Sequence, residues 1–524
     1  MGSSHGATSS PAAMCSLTLV GLVLLGAVAA DADGGFSKGK EFMAAFMFNY
    51  GVGESNTTAN YVFVSPEGDG TVDLSMLAVG NAPPWKATHN LTAGTTLRVD
   101  IPNQSEMPNT MTLEQRGITI TSDVDISVYA MNDNVNASAA DAAEILPVSA
   151  LSTDYVVPTP TKNPVILVVG ITANTDVKVT LASTCSVKYK GQTYKGGSTF
   201  TETLGKSDVF QIISAFSTRS ACDFTGTAIN ASQPVAVYSG SSCYYTTKSA
   251  GCDHFIEQVI PNELLGTRFI VPDVFDNSNY KVKVMAPFDS THIYLYEHHK
   301  DFTVHSYQID IDKGDFRDYT IPDGTTMEIF SNNRIHVIQY DGSSTPFSLP
   351  IPAVNSYGWN YTFSTMDNPT SKFFLSYINI VAKSDSAPYL TLDGSTVDPS
   401  KWQRVRDLGY SVATISIPPG NHNVEADDNF MVQVYGYDGV SSYAFQGGYY
   451  FTKLPLHYTP PTHLPGHHTP STTIAACVDS PGVDCKVLDG SIGICKNPDG
   501  AKNYCPKYCN LCSGCTSPGG CIVG

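Results

Sequence analysis

Six cysteines near the C-terminus are the residues whose type and spacing most directly imply chemistry. They are Cys477, Cys485, Cys495, Cys505, Cys509 and Cys512. Thiols this dense in an exported chain form disulfides, because so short a segment cannot bury a stable core. Spacing alone leaves 15 possible pairings of six cysteines. We therefore predict a small disulfide-rich module over residues 477–512, followed by a tail over residues 513–524.

The pattern C-x-D…C…C…C-P-K-x-C-x-x-C in this segment resembles the ShKT (sea-anemone-toxin-like) domain. The resemblance implies the pairs Cys477–Cys512, Cys485–Cys505 and Cys495–Cys509, and a structural ion pair between Asp479 and Lys507. Cys515 and Cys521 lie outside the pattern, and we expect them to pair with each other. Channel-blocking members carry an adjacent Lys-Tyr dyad, whereas Lys502 and Tyr504 are not adjacent here. Block of potassium channels is therefore not expected.

Four further cysteines lie in the body of the chain. Cys243 and Cys252 flank the short segment YYTTKSAG, so we expect them to close that loop. Cys185 and Cys222 would then pair by elimination. Because the distances between these residues are not given by the sequence, both pairs are expectations.

Motifs for catalysis or metal binding are incomplete. The segment 34–41 lacks the Ser or Thr that a phosphate loop needs, and His254 to Gln258 lacks the second histidine of an inverted zinc motif. The acidic pairs Asp123/Asp125 and Asp427/Asp428 are interpreted as solvated turn residues, with calcium binding as the alternative. We predict no enzyme activity, no catalytic residue, no metal and no cofactor.

The N-terminus predicts export. Residues Cys15 to Ala30 form an uncharged apolar run that ends in small residues, which is typical of a secretory signal. We interpret residues 1–30 as a signal peptide, with a membrane anchor as the alternative, and expect a secreted protein with no membrane span after cleavage. Six sequons could then carry glycans: Asn56, Asn90, Asn103, Asn136, Asn230 and Asn360.

Composition excludes some partners. The 524 residues carry a net charge of −18, from 30 basic and 48 acidic side chains. A nucleic-acid binder or a protein of anionic membranes needs a cationic face, so neither is expected. With 28 Tyr and 23 Phe, the chain has enough apolar area to form cores.

One short strand-like pattern recurs four times at a spacing near 100 residues. Its copies are DISVY, PVAVY, HVIQY and MVQVY, ending at Tyr129, Tyr238, Tyr340 and Tyr435. Apolar residues alternate in each copy, and a polar pair precedes it, as expected for a half-buried strand. The repeat length is that of a β-sandwich.

A second pattern opens with proline and leads into the next repeat. An aromatic residue, Tyr155, Phe269 or Tyr361, begins the following strand. We therefore predict an all-β protein of tandem antiparallel sandwich-like units, with fewer and larger β domains as the alternative. The predicted units cover residues 38–150, 151–262, 263–355 and 356–453. A stiff linker rich in Pro, Thr and His then follows over residues 455–476.

Part of the body resembles the N-terminal domain of the IgGFc-binding protein family. The resemblance is carried by GKEFMAAFMFNY, DFTGTAINASQPVAVYSGSSC and CDHFIEQVIPNELLGTRFIVP. It implies a secreted, non-catalytic binding protein at a mucosal, cuticular or cell surface, whose partner is an unknown extracellular protein or glycan. We do not carry immunoglobulin binding over, because this chain continues into an ShKT-like module. The alternatives are a channel-directed or toxin-like effector and a secreted enzyme of unrecognised type.

Overall fold

The computed structural model describes residues 37–451, except for residues 51–57, 135–138, 216–221, 250, 276–277, 367–374 and 406–407. Beyond residue 451 it describes Lys486 and a hairpin of β33 (Cys512–Ser513) and β34 (Ile522–Val523). The chain divides into two compact bodies, Met1–Pro460 and Pro461–Gly524. The described part of the larger body is built from antiparallel strands and short 3-10 turns, so the predicted all-β class is confirmed.

Four antiparallel sheets, which we call units 1 to 4, follow one another along the chain. Unit 1 contains β1 (Gly39–Ala44), β2 (Thr58–Pro66), β3 (Gly70–Met76), β4 (Trp85–Leu91), β5 (Leu97–Ile101), β7 (Ile118–Asn134) and β8 (Ala139–Ile145). Unit 2 contains β6 (Thr112–Glu114), β9 (Ser152–Val157), β10 (Pro164–Gly170), β11 (Thr175–Thr180), β14 (Thr199–Leu204), β15 (Val209–Ile213), β16 (Thr227–Tyr244) and β17 (Asp253–Gln258). A separate hairpin joins β12 (Val187–Tyr189) to β13 (Gln192–Tyr194).

The second half of the body repeats this arrangement. Unit 3 contains β18 (Gly266–Val271), β19 (Tyr280–Met285), β20 (Thr291–His298), β21 (Val304–Ile311), β22 (Phe316–Ile321), β23 (Thr326–Tyr340) and β24 (Ser348–Pro350). Unit 4 contains β25 (Gly358–Ser364), β26 (Leu375–Lys383), β27 (Thr391–Leu392), β28 (Ser395–Thr396), β29 (Trp402–Arg404), β30 (Tyr410–Ile417), β31 (Asn421–Tyr437) and β32 (Ser442–Gln446). One strand departs from chain order, because β6 follows β5 but pairs with β15 of unit 2.

One long strand in each unit belongs to two layers. The first half of β16 pairs with β9 and β11, and its second half pairs with β10 and β17. The register against β9 shifts between Asn230 and Val235, where the polar pair Ser232-Gln233 lies. Strands β7, β23 and β31 divide their partners in the same way. Each sheet therefore folds over into a sandwich-like unit, and the predicted tyrosine repeat forms the second half of the long strand.

The four units form a closed ring, because each repeat tyrosine contacts the unit before it. The contacts are Tyr129 hydroxyl to Gly447 carbonyl (2.9 Å), Tyr238 hydroxyl to Met43 carbonyl (2.6 Å), Tyr340 ring against the Tyr244 ring (6.0 Å), and Phe275 amide to Tyr435 hydroxyl (3.0 Å). Unit 1 thus contacts unit 4, which closes the circle. Apolar cores also cross the unit boundaries, since Tyr61 and Phe63 of unit 1 pack in one cluster with Phe363 of unit 4.

The last strands of the units, β8, β17, β24 and β32, meet at the centre of the ring. Two buried carboxylates join these strands. Asp141 accepts backbone N–H groups of Ile256 (3.2 Å) and Ala444 (3.1 Å), and Asp253 accepts those of Ala140 (2.9 Å) and Ser442 (3.2 Å). Burial raises the pKa of both carboxyls, and the N–H donors oppose that rise. Three units are therefore held together by hydrogen bonds to two side chains.

Candidate functional site

A cleft of about 380 Å³ lies between units 2 and 3. We call it the lysine–tyrosine cleft, after the residues that set its character. These are Lys162, Tyr244, Tyr245, Lys248 and Lys281. Hydroxyl and amide side chains complete the wall, namely Thr246, Thr247, Ser278, Asn279 and Thr320, together with Asp341 and Gly342.

Rigid structure positions one side of the cleft. Tyr244 is the last residue of β16, and its ring stacks on Phe255 with centroids 4.5 Å apart. The next residues form the loop that the Cys243–Cys252 disulfide closes. Lys281 projects from β19 of unit 3, where it is exposed. The cleft therefore depends on two units being fixed against each other by the stacked tyrosines.

The lysines give the cleft a positive charge. The Lys162 ammonium lies 3.7 Å from the centroid of the Tyr245 ring and donates a hydrogen bond to the Tyr245 carbonyl (2.8 Å). Burial, and then the nearby Lys281 charge, lower the pKa of Lys162. Lys248 donates to the Ser278 hydroxyl. Within the described ranges, the ion pairs between lysines and carboxylates involve none of these three lysines.

Chemically, this arrangement of lysines suits binding of an anion. Asp341 is the single carboxylate among the described lining residues, and its oxygens already accept from Ser343. The described lining includes no histidine or cysteine. Sequence reasoning missed this site, because Lys162, Lys248 and Lys281 stand far apart in the chain and no local pattern joins them.

A second cleft of about 220 Å³ lies between units 3 and 4. It contains Lys300 and Lys401, but Asp273 and Asp323 line it as well. Because its charges are mixed, it has less preference for one class of ligand than the lysine–tyrosine cleft has.

The incomplete zinc motif at His254 has a structural explanation. His254 and Glu257 lie on strand β17, so their side chains are not brought together as they would be on a helix. Burial lowers the pKa of His254 to about 3, so its imidazole is neutral inside the ring. A hydrogen bond with the Ser241 backbone opposes this shift only in part. This histidine fills space at the centre of the ring.

The disulfides of the body are formed as the sequence suggests. Cys185 is bonded to Cys222, and Cys243 is bonded to Cys252. The first pair does not line the lysine–tyrosine cleft, whereas the second closes the loop that contributes Tyr244, Tyr245 and Lys248 to it. Their different places make them useful as matched probes of the site.

Four of the six sequons lie among the described residues. Asn90 and Asn230 are exposed, while Asn103 and Asn360 are half-buried. The side-chain Oδ1 atom of Asn360 accepts a hydrogen bond from the Asn423 side chain (3.1 Å), and the Asn230 side chain donates to the Asp154 carboxylate (2.6 Å). The other two sequons, Asn56 and Asn136, lie outside the described residues.

Most of the C-terminal predictions also lie outside the described residues, as does the leader. They are the linker, the ion pair Asp479–Lys507, and the cysteines Cys477, Cys485, Cys495, Cys505, Cys509, Cys515 and Cys521. Of Cys512 the structure describes the backbone, which pairs with Val523.

A family model for the IgGFc binding protein matches residues 141–436. This stretch is more than half of the 524-residue chain and includes unit 3 and all strands of unit 2 except β6, and these two units form the cleft. The chain belongs to the IgGFc binding protein family. Its family membership, predicted from the motifs around residues 223–272, is confirmed.

One curated relative is the human IgGFc-binding protein (Homo sapiens). The two are 26% identical over 420 residues, which is 77% of this chain. The chain spans 7% of the length of that relative. The similarity therefore extends over most of this chain but over a small part of a protein named for binding IgG Fc.

Two solved structures align over much of the chain with little structural agreement. A mutant of the major pilin from Streptococcus pyogenes covers 78% of this chain and 99% of its own, with 8% identity and a TM-score of 0.14. A tetra-tandem repeat of a large adhesion protein covers 79% and 99%, with 12% identity and a TM-score of 0.09. Scores this low carry no argument about fold or function.

Among the described residues, we find no helical segment with the length and hydropathy of a membrane span.

Proposed function

We propose that this protein is a secreted, non-catalytic binding protein that recognises an anionic extracellular ligand in the lysine–tyrosine cleft. The observation that carries the proposal is the grouping of three lysines and two tyrosines around one open cleft. The whole chain has a net charge of −18, so the positive charge of this cleft is opposite in sign to that of the protein as a whole.

A sulfated or sialylated glycan suits the cleft best. Lysines attract sulfate or carboxylate groups, and the exposed Tyr245 ring offers a flat apolar face for a sugar ring. The threonine, serine and asparagine side chains of the wall can exchange hydrogen bonds with sugar hydroxyls. The acidic remainder of the surface would repel polyanions and so confine their binding to this cleft.

The absence of catalysis is part of the proposal. General acid–base chemistry needs titratable groups within hydrogen-bond reach of the reacting atoms. Among the described lining residues, the one carboxylate, Asp341, is engaged by Ser343, and the other titratable groups are lysines and tyrosines with no imidazole in the lining to exchange protons with them. This supports binding without turnover.

Immunoglobulin is not the assigned ligand. The human relative is named for IgG Fc, but this chain corresponds to 7% of its length. The Fc fragment therefore serves as a comparison probe in the binding test. We expect the chain to bind anionic glycans when no Fc fragment is present.

Export, glycosylation and the division of the chain into units and modules are part of the same proposal. We infer cleavage of residues 1–30, export, glycans at the exposed Asn90 and Asn230, and four structural units within residues 38–453. The linker over residues 455–476 would then connect the ring to an ShKT-like module over residues 477–512. Peptide mapping of the secreted protein by mass spectrometry, without reduction, tests the three disulfide pairs of that module.

The binding test uses the secreted, tag-free full chain on an array of sulfated, sialylated and neutral glycans. We expect retention of anionic glycans, and a loss of affinity of at least tenfold in Lys281→Ala and Lys248→Ala. The matched control is Lys178→Ala, because Lys178 is exposed on β11 of unit 2 and does not line the cleft. Raising the salt concentration should weaken binding.

Two results would overturn the proposal. One is equal affinity of the Lys281→Ala variant and the wild type for an anionic glycan. The other is retention of neutral glycans only, with no dependence on salt.

A further inference from the structure

The hairpin of β20 and β21 in unit 3 carries a group of side chains that the lysine–tyrosine cleft does not use. Glu297 lies in β20, and His299 follows the last residue of that strand, two positions after Glu297. His305 of β21 is the direct cross-strand partner of Glu297. The turn between the strands therefore brings one carboxylate and two imidazoles together.

The distances among the three groups suit a metal ion. The Glu297 Oε2 atom lies 3.4 Å from His299 Nε2 and 3.7 Å from His305 Nδ1. One ligand atom from each residue lies within 4.8 Å of the others. A tetrahedral zinc ion, with bonds near 2.0–2.1 Å, places its ligand atoms about 3.3 Å apart.

The surroundings orient the imidazole toward such an ion. His299 Nδ1 lies 3.0 Å from the hydroxyl of Thr325, which is fully buried. His299 Nε2 is buried and has no hydrogen-bond partner among the described residues. A metal-bound histidine uses one ring nitrogen as ligand and holds a hydrogen-bond partner on the other.

We propose that Glu297, His299 and His305 form a binding site for Zn²⁺ or a similar transition-metal ion. Two imidazole nitrogens and one carboxylate oxygen supply three ligands, and this is a donor set that zinc accepts. The His305 side chain is 60% exposed, so solvent reaches the ion and a water molecule supplies the fourth ligand. Sequence analysis predicts no metal and does not single out these residues, whose spacing Glu-x-His-x₅-His matches no helical zinc motif.

The test measures zinc on the full chain purified without a polyhistidine tag. The four linker histidines, His457, His463, His467 and His468, are replaced by alanine in every sample, so that they contribute no zinc. After dialysis against a chelator, titration calorimetry with ZnCl₂ should show one ion bound per chain. His299→Ala and His305→Ala should each weaken binding at least tenfold.

The matched control is His292→Ala. His292 lies on the same hairpin and pairs with Asp310 at 2.6 Å, but among the described residues no third ligand adjoins that pair. This control should bind zinc as the parent protein does. Replacement of zinc by Co²⁺ should give the intense visible absorption of a four-coordinate site, and His305→Ala should abolish it.

Thermal unfolding without metal separates a lost ligand from a lost fold. His305→Ala should unfold at the temperature of its parent in chelator, and only the parent should gain stability from zinc. The proposal is overturned if the parent binds no zinc at millimolar concentration. Zinc binding of equal strength by the parent and by a folded His305→Ala variant would overturn it as well.

Discussion

At the scale of single residues, Asp133 is the carboxyl whose burial has the clearest consequence. It lies near the end of β7, it is 1% exposed, and its Oδ2 atom has no hydrogen-bond partner among the described residues. Burial raises the pKa of Asp133 to about 7, and the charge of Asp438 adds to the rise. The folded chain therefore keeps this proton at a pH where the unfolded chain has lost it.

This difference predicts how stability depends on pH. The contribution of protonated Asp133 is complete below the unfolded pKa, near 4, and is lost as pH rises through about 7. Asp133→Asn should remove that loss and stabilise the protein at pH 8, relative to wild type, by about 1–3 kcal/mol. Chemical denaturation of both proteins at pH 5 and pH 8 measures this difference in the free energy of unfolding.

A matched substitution serves as the control for this prediction. Asp385 is exposed, so Asp385→Asn should leave the pH dependence of unfolding unchanged. If wild type and Asp133→Asn lose stability equally between pH 5 and pH 8, the assignment of that loss to Asp133 is wrong.

At the scale of elements, the loop closed by Cys243 and Cys252 connects the fold to the proposed site. Its disulfide spans nine positions and fixes the segment that carries Tyr245 and Lys248. Replacing both cysteines by serine should destabilise the protein by about 2–3 kcal/mol, through the entropy of the unfolded chain. It should also weaken anionic-glycan binding at least tenfold, because the two cleft residues are no longer held in place.

The other disulfide provides the matched control for this element. Cys185 and Cys222 are 37 positions apart and do not line the cleft. Replacing both by serine should lower thermal stability as well, yet leave glycan affinity unchanged. Equal losses of affinity in the two double variants would show that the loop has no specific role.

The elements also show what sequence reasoning could and could not reach. Alternation of apolar residues and a repeated tyrosine predicted a short, half-buried strand at each repeat. The structure places each repeat in the second half of a strand of 15–18 residues, where its last four residues are buried, because neighbouring units cover both faces. The burial of the central strand β8 could not be predicted in this way. Its sequence AADAAEI contains two acidic residues, and yet all seven residues are buried. No local pattern in the sequence indicates that Asp141 accepts hydrogen bonds from backbone N–H groups of two other units. The lysine–tyrosine cleft was missed for the same reason, since its residues meet only when units 2 and 3 pack against each other.

At the scale of the whole molecule, ring closure makes the four units depend on one another. The Tyr129 hydroxyl bonds to Gly447 across 318 positions of sequence. Tyr361 and Phe445 of unit 4 share a core with unit 1. Removal of unit 4 would expose these surfaces, at about 1.5–3 kcal/mol for each large apolar side chain.

A chain ending at residue 355 should therefore fail to give a stable ring of three units. We expect it to bind a dye for exposed apolar surface and to lose the sharp unfolding transition of the full chain. The control ends at residue 460, keeps all four sheets, and should unfold as the full chain does. Independent, unaltered unfolding of units 1 to 3 in the shorter chain would contradict a closed ring.

Recognition of an anionic ligand between units 2 and 3 is the central claim, and hydrogen exchange tests it most directly. Exchange of the full secreted chain is compared with and without a sulfated oligosaccharide that it binds. Slower exchange is predicted at residues 244–249 and 278–282, and Lys281→Ala should remove that protection. Saturated ligand binding with protection only in other parts of the ring would contradict the claim.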